Sequence, residues 1–137
     1  MIGIDIVKIS RIAEAMQKER FCEKILNKSE IKYANSKSKV ITKYGFDSVA
    51  MTVAGLFAAK EAVLKAIGVG MSGGYGFKDI TIEHDKKGAP IVKLSTELET
   101  YMQGDLLRSG GAFSLSIAHD GEYATAIATL YRGCPHA

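Results

Sequence analysis

Ile2, Ile4 and Ile6 alternate with Gly3, Asp5 and Val7, the period of two that marks a strand. Ser10 then stands where a helix can be capped. Ile9, Ile12, Ala13 and Met16 recur at helical spacing, which predicts a helix to about Glu19. Shorter helical pieces follow at Phe21–Leu26 and Ser29–Ala34, and residues 35–46, polar and unpatterned, read as a mobile loop. Asp47 caps the longest helical signal, Ser48–Ile67, which Gly68 and Gly70 end. A glycine-rich stretch continues through Gly73, Gly74 and Gly76. Asp79–Glu83 and Pro90–Leu94 read as strands about a turn at Lys87-Gly88, and Ser95 can cap a helix to about Arg108. Ala112–Ala118 and Tyr123–Leu130 form a hairpin about Asp120-Gly121. Helices interleaved with hairpins imply an α+β fold with a mainly antiparallel sheet.

The long helix is apolar on most of its circumference. Val49, Val53, Leu56, Phe57, Leu64 and Ile67 make one stripe, and Gly55, Ala58, Ala59, Ala62 and Ala66 make a face of small residues suited to close backbone packing. Three charges interrupt it. Lys60 falls within the apolar stripe, while Glu61 and Lys65 share the seam between the two faces. On an exposed helix such an i,i+4 pair contributes a few tenths of a kcal/mol. On a helix this apolar, the charges need buried or ligand partners.

Asp5 is a second polar group in apolar company, since aspartate is depleted from strand interiors. It can pair with Lys60 or Lys65, or join Glu61 as an oxygen ligand of one hard cation. Two carboxylates completed by phosphate and water is a common way to hold Mg²⁺. His119 is the third: Phe113, Leu115, Ile117 and His119 alternate onto one face, so the imidazole ends an apolar row beside a hairpin turn. A lone histidine there is more often structural than catalytic. Nucleophile-elbow, dinucleotide-fingerprint and P-loop motifs are all missing from the sequence.

The length of 137 residues predicts one domain, and 47% hydrophobic with 24% charged residues excludes intrinsic disorder. Cys22 and Cys134 have no metal-ligand or disulfide-framework spacing, and no apolar run nears the roughly 20 residues that span a bilayer. Met1–Val7 is too short and too interrupted for a signal core, so a cytoplasmic protein is expected, with no membrane partner. The net charge of +3 is too small to indicate nucleic-acid binding, and the aromatics do not interleave with the basic residues. Lys8, Arg11, Lys18 and Arg20 cluster on the first predicted helix and its ends with Met16 among them, either a solvated face or a docking surface for an acidic partner.

Taken together, Gly3-Ile4-Asp5-Ile6-Val7 with Arg11-Ile12, the block Phe57-Ala58-Ala59-Lys60-Glu61-Ala62-Val63-Leu64-Lys65-Ala66, and Ser116-Ile117-Ala118-His119-Asp120 resemble one family. It is the bacterial holo-acyl-carrier-protein synthases, a type of 4′-phosphopantetheinyl transferase. The resemblance spans nearly the whole chain and implies a sheet packed against a long buried helix. It also implies transfer of 4′-phosphopantetheine from coenzyme A to a serine of apo acyl carrier protein, releasing adenosine 3′,5′-bisphosphate. On the matching positions it implies Asp5 and Glu61 as Mg²⁺ ligands, and Lys65 as a contact to the coenzyme A phosphates. It places His119 in the coenzyme A pocket with Gly68 opening a loop beside it. Lys87-Gly88-Ala89-Pro90 resembles the turn near the adenosine. Arg11, Met16, Lys18 and Arg20 resemble the carrier-docking helix, and the family implies a homotrimer with active sites between subunits. The general base stays open between Glu61 and a water. Three positions depart from the pattern: Leu56 stands where the family usually has arginine, Ala118 where it has serine or threonine, and the loop at 35–47 is longer. A non-catalytic coenzyme A or carrier-protein binding module of the same fold is the rival reading.

Overall fold

A computed structural model describes residues 1–37, 40–69, 73–105 and 112–131. The chain runs β1 (Ile2–Lys8), α1 (Ile9–Ala15), α2 (Phe21–Ile25), α3 (Lys28–Asn35) and α4 (Ser48–Ile67). After a 3-10 turn at Phe77–Asp79 come β2 (Ile80–His84), β3 (Pro90–Leu94), α5 (Thr96–Asp105), β4 (Ala112–Asp120) and β5 (Tyr123–Tyr131). The strands form two antiparallel sheets, ordered β1-β5-β4 and β2-β3. The class is α+β, as the interleaved pattern implied.

Helix α4 organises the molecule. Asp47 Oδ1 accepts the Ala50 N–H at 2.6 Å at its start, and Gly68 closes it in the left-handed conformation at φ +79°. Fourteen of its 20 residues are buried, so it is covered on nearly every side. One flank packs on β1 and β5; Leu56, Val63 and their neighbours join Ile9, Ile12, Leu26, Ile80 and Leu130 in one apolar core.

Lys60 is fully buried in that core and is completely paired. Its Nζ lies 2.6 Å from Glu30 Oε1 and donates to the carbonyls of Ile25 at 2.7 Å and Phe77 at 3.0 Å. Glu30, also fully buried, accepts the Asn27 and Ile82 N–H groups at 2.7 and 2.9 Å. Burial draws the Lys60 ammonium below its ordinary pKa, and Glu30 works against that. This pair fastens α3, α4 and β2 together, so Lys60 belongs to the core and takes no part in Asp5's surroundings.

Several expectations are corrected. Helix α1 ends at Ala15, not near Glu19, and Ser10 does not cap it. Strand β1 passes straight into the helix, with Lys8 at the cap position and the Ile9 N–H donating to the Glu122 carbonyl at 2.8 Å. Lys18 and Arg20 therefore lie on the turn that follows, where Arg20 takes φ +65°. The stretch read as a patternless loop contains, at 40–47, a tight turn: Thr42 N–H donates to the Phe46 carbonyl at 2.8 Å, and Ile41 bridges to Asp47. The end of α5 near Arg108 lies outside the described residues.

Candidate active site

The alternation in β1 is real, but the isoleucines face away from the helix. Ile2, Ile4 and Ile6 are 64, 62 and 65% exposed, whereas Gly3 and Val7 are buried toward α4. The cause is backbone proximity. A Cβ on Gly3 would stand 2.0 Å from the Ala62 carbonyl oxygen and 2.6 Å from the Ala66 nitrogen, so only glycine lets strand and helix touch there. Two residues further on the same face is Asp5, brought against the next turns of α4.

There Lys65 Nζ donates to Asp5 Oδ1 at 3.1 Å and to the Ile4 carbonyl at 3.0 Å. Asp5's side chain is 16% exposed and that of Lys65 53%. Glu61, half-buried one turn earlier on α4, has its carboxyl held above the usual range. Burial is the main cause and the negative charge of Asp5 the next, with Lys65 and Arg11 opposing. Asp5, Glu61, Lys65 and Arg11 thus share one electrostatic neighbourhood. Of the alternatives read from the sequence for Asp5, the ion pair with Lys65 is present, and Glu61 lies near enough to feel the Asp5 charge.

The donor set suits a hard cation. Glu61 lies near enough for the Asp5 charge to oppose its ionisation, a repulsion that a divalent ion between the two carboxylates would relieve, and oxygen-only ligation with room for phosphate and water suits Mg²⁺. Among the described residues no group of three or more His, Cys, Asp or Glu could hold a metal alone. Further ligands would have to come from substrate and water.

His119 stands elsewhere. Its Nε2 lies 2.9 Å from the Met51 carbonyl, which can only accept, so this nitrogen carries the proton. Gly55 makes the room: a Cβ there would lie 3.0 Å from the same nitrogen. His119, Gly88 and Pro90 line one cavity of about 350 Å³ together with Tyr33, Lys37, Leu56 and His84, and neither Asp5, Glu61 nor Lys65 is in its wall. Gly68 is not beside His119 within one chain, because it lies thirteen positions beyond Gly55, about 20 Å along α4.

A second hollow of about 350 Å³ is lined by Arg11, Lys18, Phe21 and Phe57, with Glu14 at its edge. Arg11 and Lys18 of the basic group therefore flank an apolar floor. Met16, the residue that closes α1, packs partly against the core instead. Arg20 is exposed and lies outside this hollow. The motifs did not reveal Glu30 or the Tyr33–His84 pair. The Asn27-to-Glu30 spacing is a legible capping signature, but that carboxylate's reach to Lys60 is not local.

The class of protein now follows from likeness as well as geometry. Residues 1–128 match the family model described as the 4′-phosphopantetheinyl transferase superfamily, and the chain belongs to that superfamily. It is 40% identical over 134 residues to a holo-[acyl-carrier-protein] synthase of Sulfurimonas denitrificans, covering 95% of this chain and 93% of that relative. A synthase of the same name from Campylobacter curvus is 38% identical, covering 95% and 99%. Among solved structures, the Helicobacter pylori holo-[acyl-carrier-protein] synthase in complex with coenzyme A superposes at a TM-score of 0.76. That pair is 35% identical over 96% of this chain and all of the other. The Chronobacterium ammoniagenes ACPS-CoA complex superposes at 0.81 with 26% identity over 98% of each chain. Within the superfamily its place is among the holo-acyl-carrier-protein synthases, which are enzymes.

Proposed function

We propose that this chain, acting as one domain over residues 1–137, transfers 4′-phosphopantetheine from coenzyme A to a serine of apo acyl carrier protein. The other product is adenosine 3′,5′-bisphosphate. One observation carries the reading: the Gly3 contact sets Asp5, Glu61 and Lys65 together at the surface end of an otherwise buried helix. The names of the relatives and the coenzyme A complexes among the structural neighbours support it.

In the transfer, the serine oxygen bonds to the β-phosphorus, the bond to the bridging oxygen breaks, and the serine proton must be taken up. Little covalent help is needed; positioning and charge compensation dominate. Lys65, whose ammonium is half exposed, offsets charge on the donor's phosphates. Glu61, its carboxyl held above the usual range mainly by burial, is placed to take up the serine proton, either directly or through water. Asp5 and Glu61 would hold Mg²⁺, which when bound neutralises charge on the pyrophosphate. Arg11 faces both this cluster and the basic hollow, so a carrier protein docked along Arg11, Met16, Lys18 and Arg20 would present its serine to Glu61.

The remaining residues favour an assembly. His119, Gly88 and Pro90 on one side and Asp5, Glu61 and Lys65 on the other do not share a cavity in one chain. A homotrimer closing on the apolar outer face of β1 and β5 would bring one subunit's cavity to another's carboxylates. Ile2, Ile4, Ile6 and Ile127, all exposed, supply that face. No helix among the described residues is long and apolar enough to cross a membrane. The test is mass spectrometry of apo carrier protein incubated with coenzyme A and Mg²⁺, with and without chelator. A gain of one phosphopantetheine, lost with chelator, supports transfer. Coenzyme A binding with no gain would make the chain a binding module.

A further inference from the structure

The floor of the hollow between Arg11 and Lys18 is made by two rings, Phe21 and Phe57. The short 3-10 turn at Phe77–Asp79 supports both of them from behind. Phe57, on α4, meets Phe77 with ring centroids 5.3 Å apart and 34° between planes. Phe21 opens α2, a helix of five residues, too short to hold its shape alone. Arg20 leads into it in the left-handed conformation and gives no side-chain cap, so the start of α2 has no fastening of that kind. Its other end does. Lys78 Nζ donates to the carbonyls of Glu23 and Leu26, both at 2.8 Å. Lys60 takes the Ile25 carbonyl between them at 2.7 Å. Cations placed there satisfy the acceptors that a helix leaves open at its C-terminus.

The turn that carries Phe77 and Lys78 is itself fixed. One Asp79 carboxylate oxygen accepts the Gly76 N–H at 2.9 Å and the other the Ser95 hydroxyl at 2.8 Å, while the Asp79 carbonyl accepts the Ser95 N–H at 2.7 Å. The two lysines differ in setting. Lys60 is fully buried and paired with Glu30, so its loss damages the core. Lys78 is exposed, and among the described residues it has no carboxylate partner. Its ammonium is bound to the backbone of α2. Neither the cavity beside His119 nor the ion pair of Asp5 with Lys65 includes it.

We propose that Lys78 is a positioning residue for the acceptor side of the reaction. By closing the end of α2 it sets Phe21 beside Phe57, and so shapes the floor on which the carrier protein docks. This rests on the transfer reading and the docking face given above. Lys78 touches neither substrate and acts through α2.

The test measures KM separately for apo carrier protein and for coenzyme A. Lys78→Met removes the donors, Lys78→Arg keeps them, and Lys93→Met removes an equal charge from an exposed position on β3. Lys78→Met should raise the KM for carrier protein by about tenfold, the size of one charge-assisted hydrogen bond. Its kcat and its KM for coenzyme A should stay within about twofold of the parent's. Lys78→Arg should recover most of the loss and Lys93→Met should show none. Hydrogen exchange of the amides at 21–26 should quicken in Lys78→Met alone. A lysine that only helped the chain to fold would move both KM values or kcat together. Such a common shift, an unchanged carrier KM, an equal effect of Lys93→Met, or unaltered exchange at 21–26 would overturn the proposal. If the parent transfers nothing, the transfer reading fails, and calorimetry with apo carrier protein still reads the brace. Binding weakened about tenfold in Lys78→Met but not in Lys93→Met would then uphold it. Equal binding in all three proteins, or none by the parent, would overturn it.

Discussion

Gly3→Ala puts the strand-to-helix contact to a direct test. The added methyl would begin 2.0 Å from the Ala62 oxygen, 2.6 Å from the Ala66 nitrogen and 2.9 Å from the Lys65 Cβ. The first two are helix backbone and cannot rotate aside, so β1 and α4 must part until the shortest contact reaches at least 3.4 Å. That separation strips contact from Val7 and from the small-residue face of α4. Overpacking of this kind costs roughly 3 kcal/mol or more, which for a domain of this size lowers the melting temperature by about 10 °C. It also carries Asp5 away from Lys65, so transfer should fall much further than the folded fraction does. The assay is a thermal melt followed by mass spectrometry of carrier protein at a temperature where the variant remains folded. Gly76→Ala is the control, because a Cβ there meets nothing within 4 Å. A Gly3→Ala protein that melts within about 2 °C of the parent and transfers normally would refute the reasoning.

Other outcomes follow from the same geometry. Glu61's raised pKa means that its contribution to stability is present below the ordinary carboxylate value and is lost as pH rises through the raised one. In chelator at neutral pH, Glu61→Gln should therefore melt at or above the parent, the two converging in acid, and Mg²⁺ should raise only the parent. A parent several degrees more stable than Glu61→Gln in chelator would contradict this. Lys60→Met leaves Glu30 buried without its cation and should cost about 3–5 kcal/mol in denaturant titration. The double variant with Glu30→Gln should recover part of that loss, and strict additivity would show the pair is not coupled. Ile127→Glu should fold yet sediment as a monomer with little transfer activity; an unchanged assembly would remove the outer face of β1 and β5 as the subunit contact.

What could be read in advance was local. The bounds of α4 were legible because Asp47 and Gly68 are chemical punctuation, and the β4–β5 hairpin because of Gly121, although Asp120 still pairs with Tyr123 and the two-residue turn is Gly121-Glu122, one position later than read. Helix α1 was overextended because the strand runs into it with no side-chain cap to mark the start, and it stops at Ala15 with Met16 still right-handed and no glycine or proline beside it to mark the end. Lys60 was conspicuous as a charge in an apolar stripe, but its partner Glu30 lies thirty positions earlier, on another helix. Tyr33 and His84 escaped for the same reason: each is unremarkable where it stands, and only the packing of α3 on β2 stacks them.

Strand β1 shows how period and direction differ as information. Alternation fixes that Ile2, Ile4 and Ile6 share a face, but a period of two says nothing about which face meets the core. Hydrophobicity argues for turning the isoleucines inward. Geometry overrules it, because Ala62 and Ala66 offer α4's backbone at a distance that admits no side chain at position 3. Once Gly3 faces the helix, Asp5 must as well, and its carboxylate meets Lys65 and Glu61 as a consequence of register. The isoleucines are then left outside, 62–65% exposed, a surface that soluble proteins keep covered. One glycine therefore sets both the cluster of Asp5, Glu61 and Lys65 on the inner face and the apolar face turned away from it. Reversing the strand's facing would bury the isoleucines but dismantle the site, so the exposed row is the structural counterpart of having Asp5 where it is.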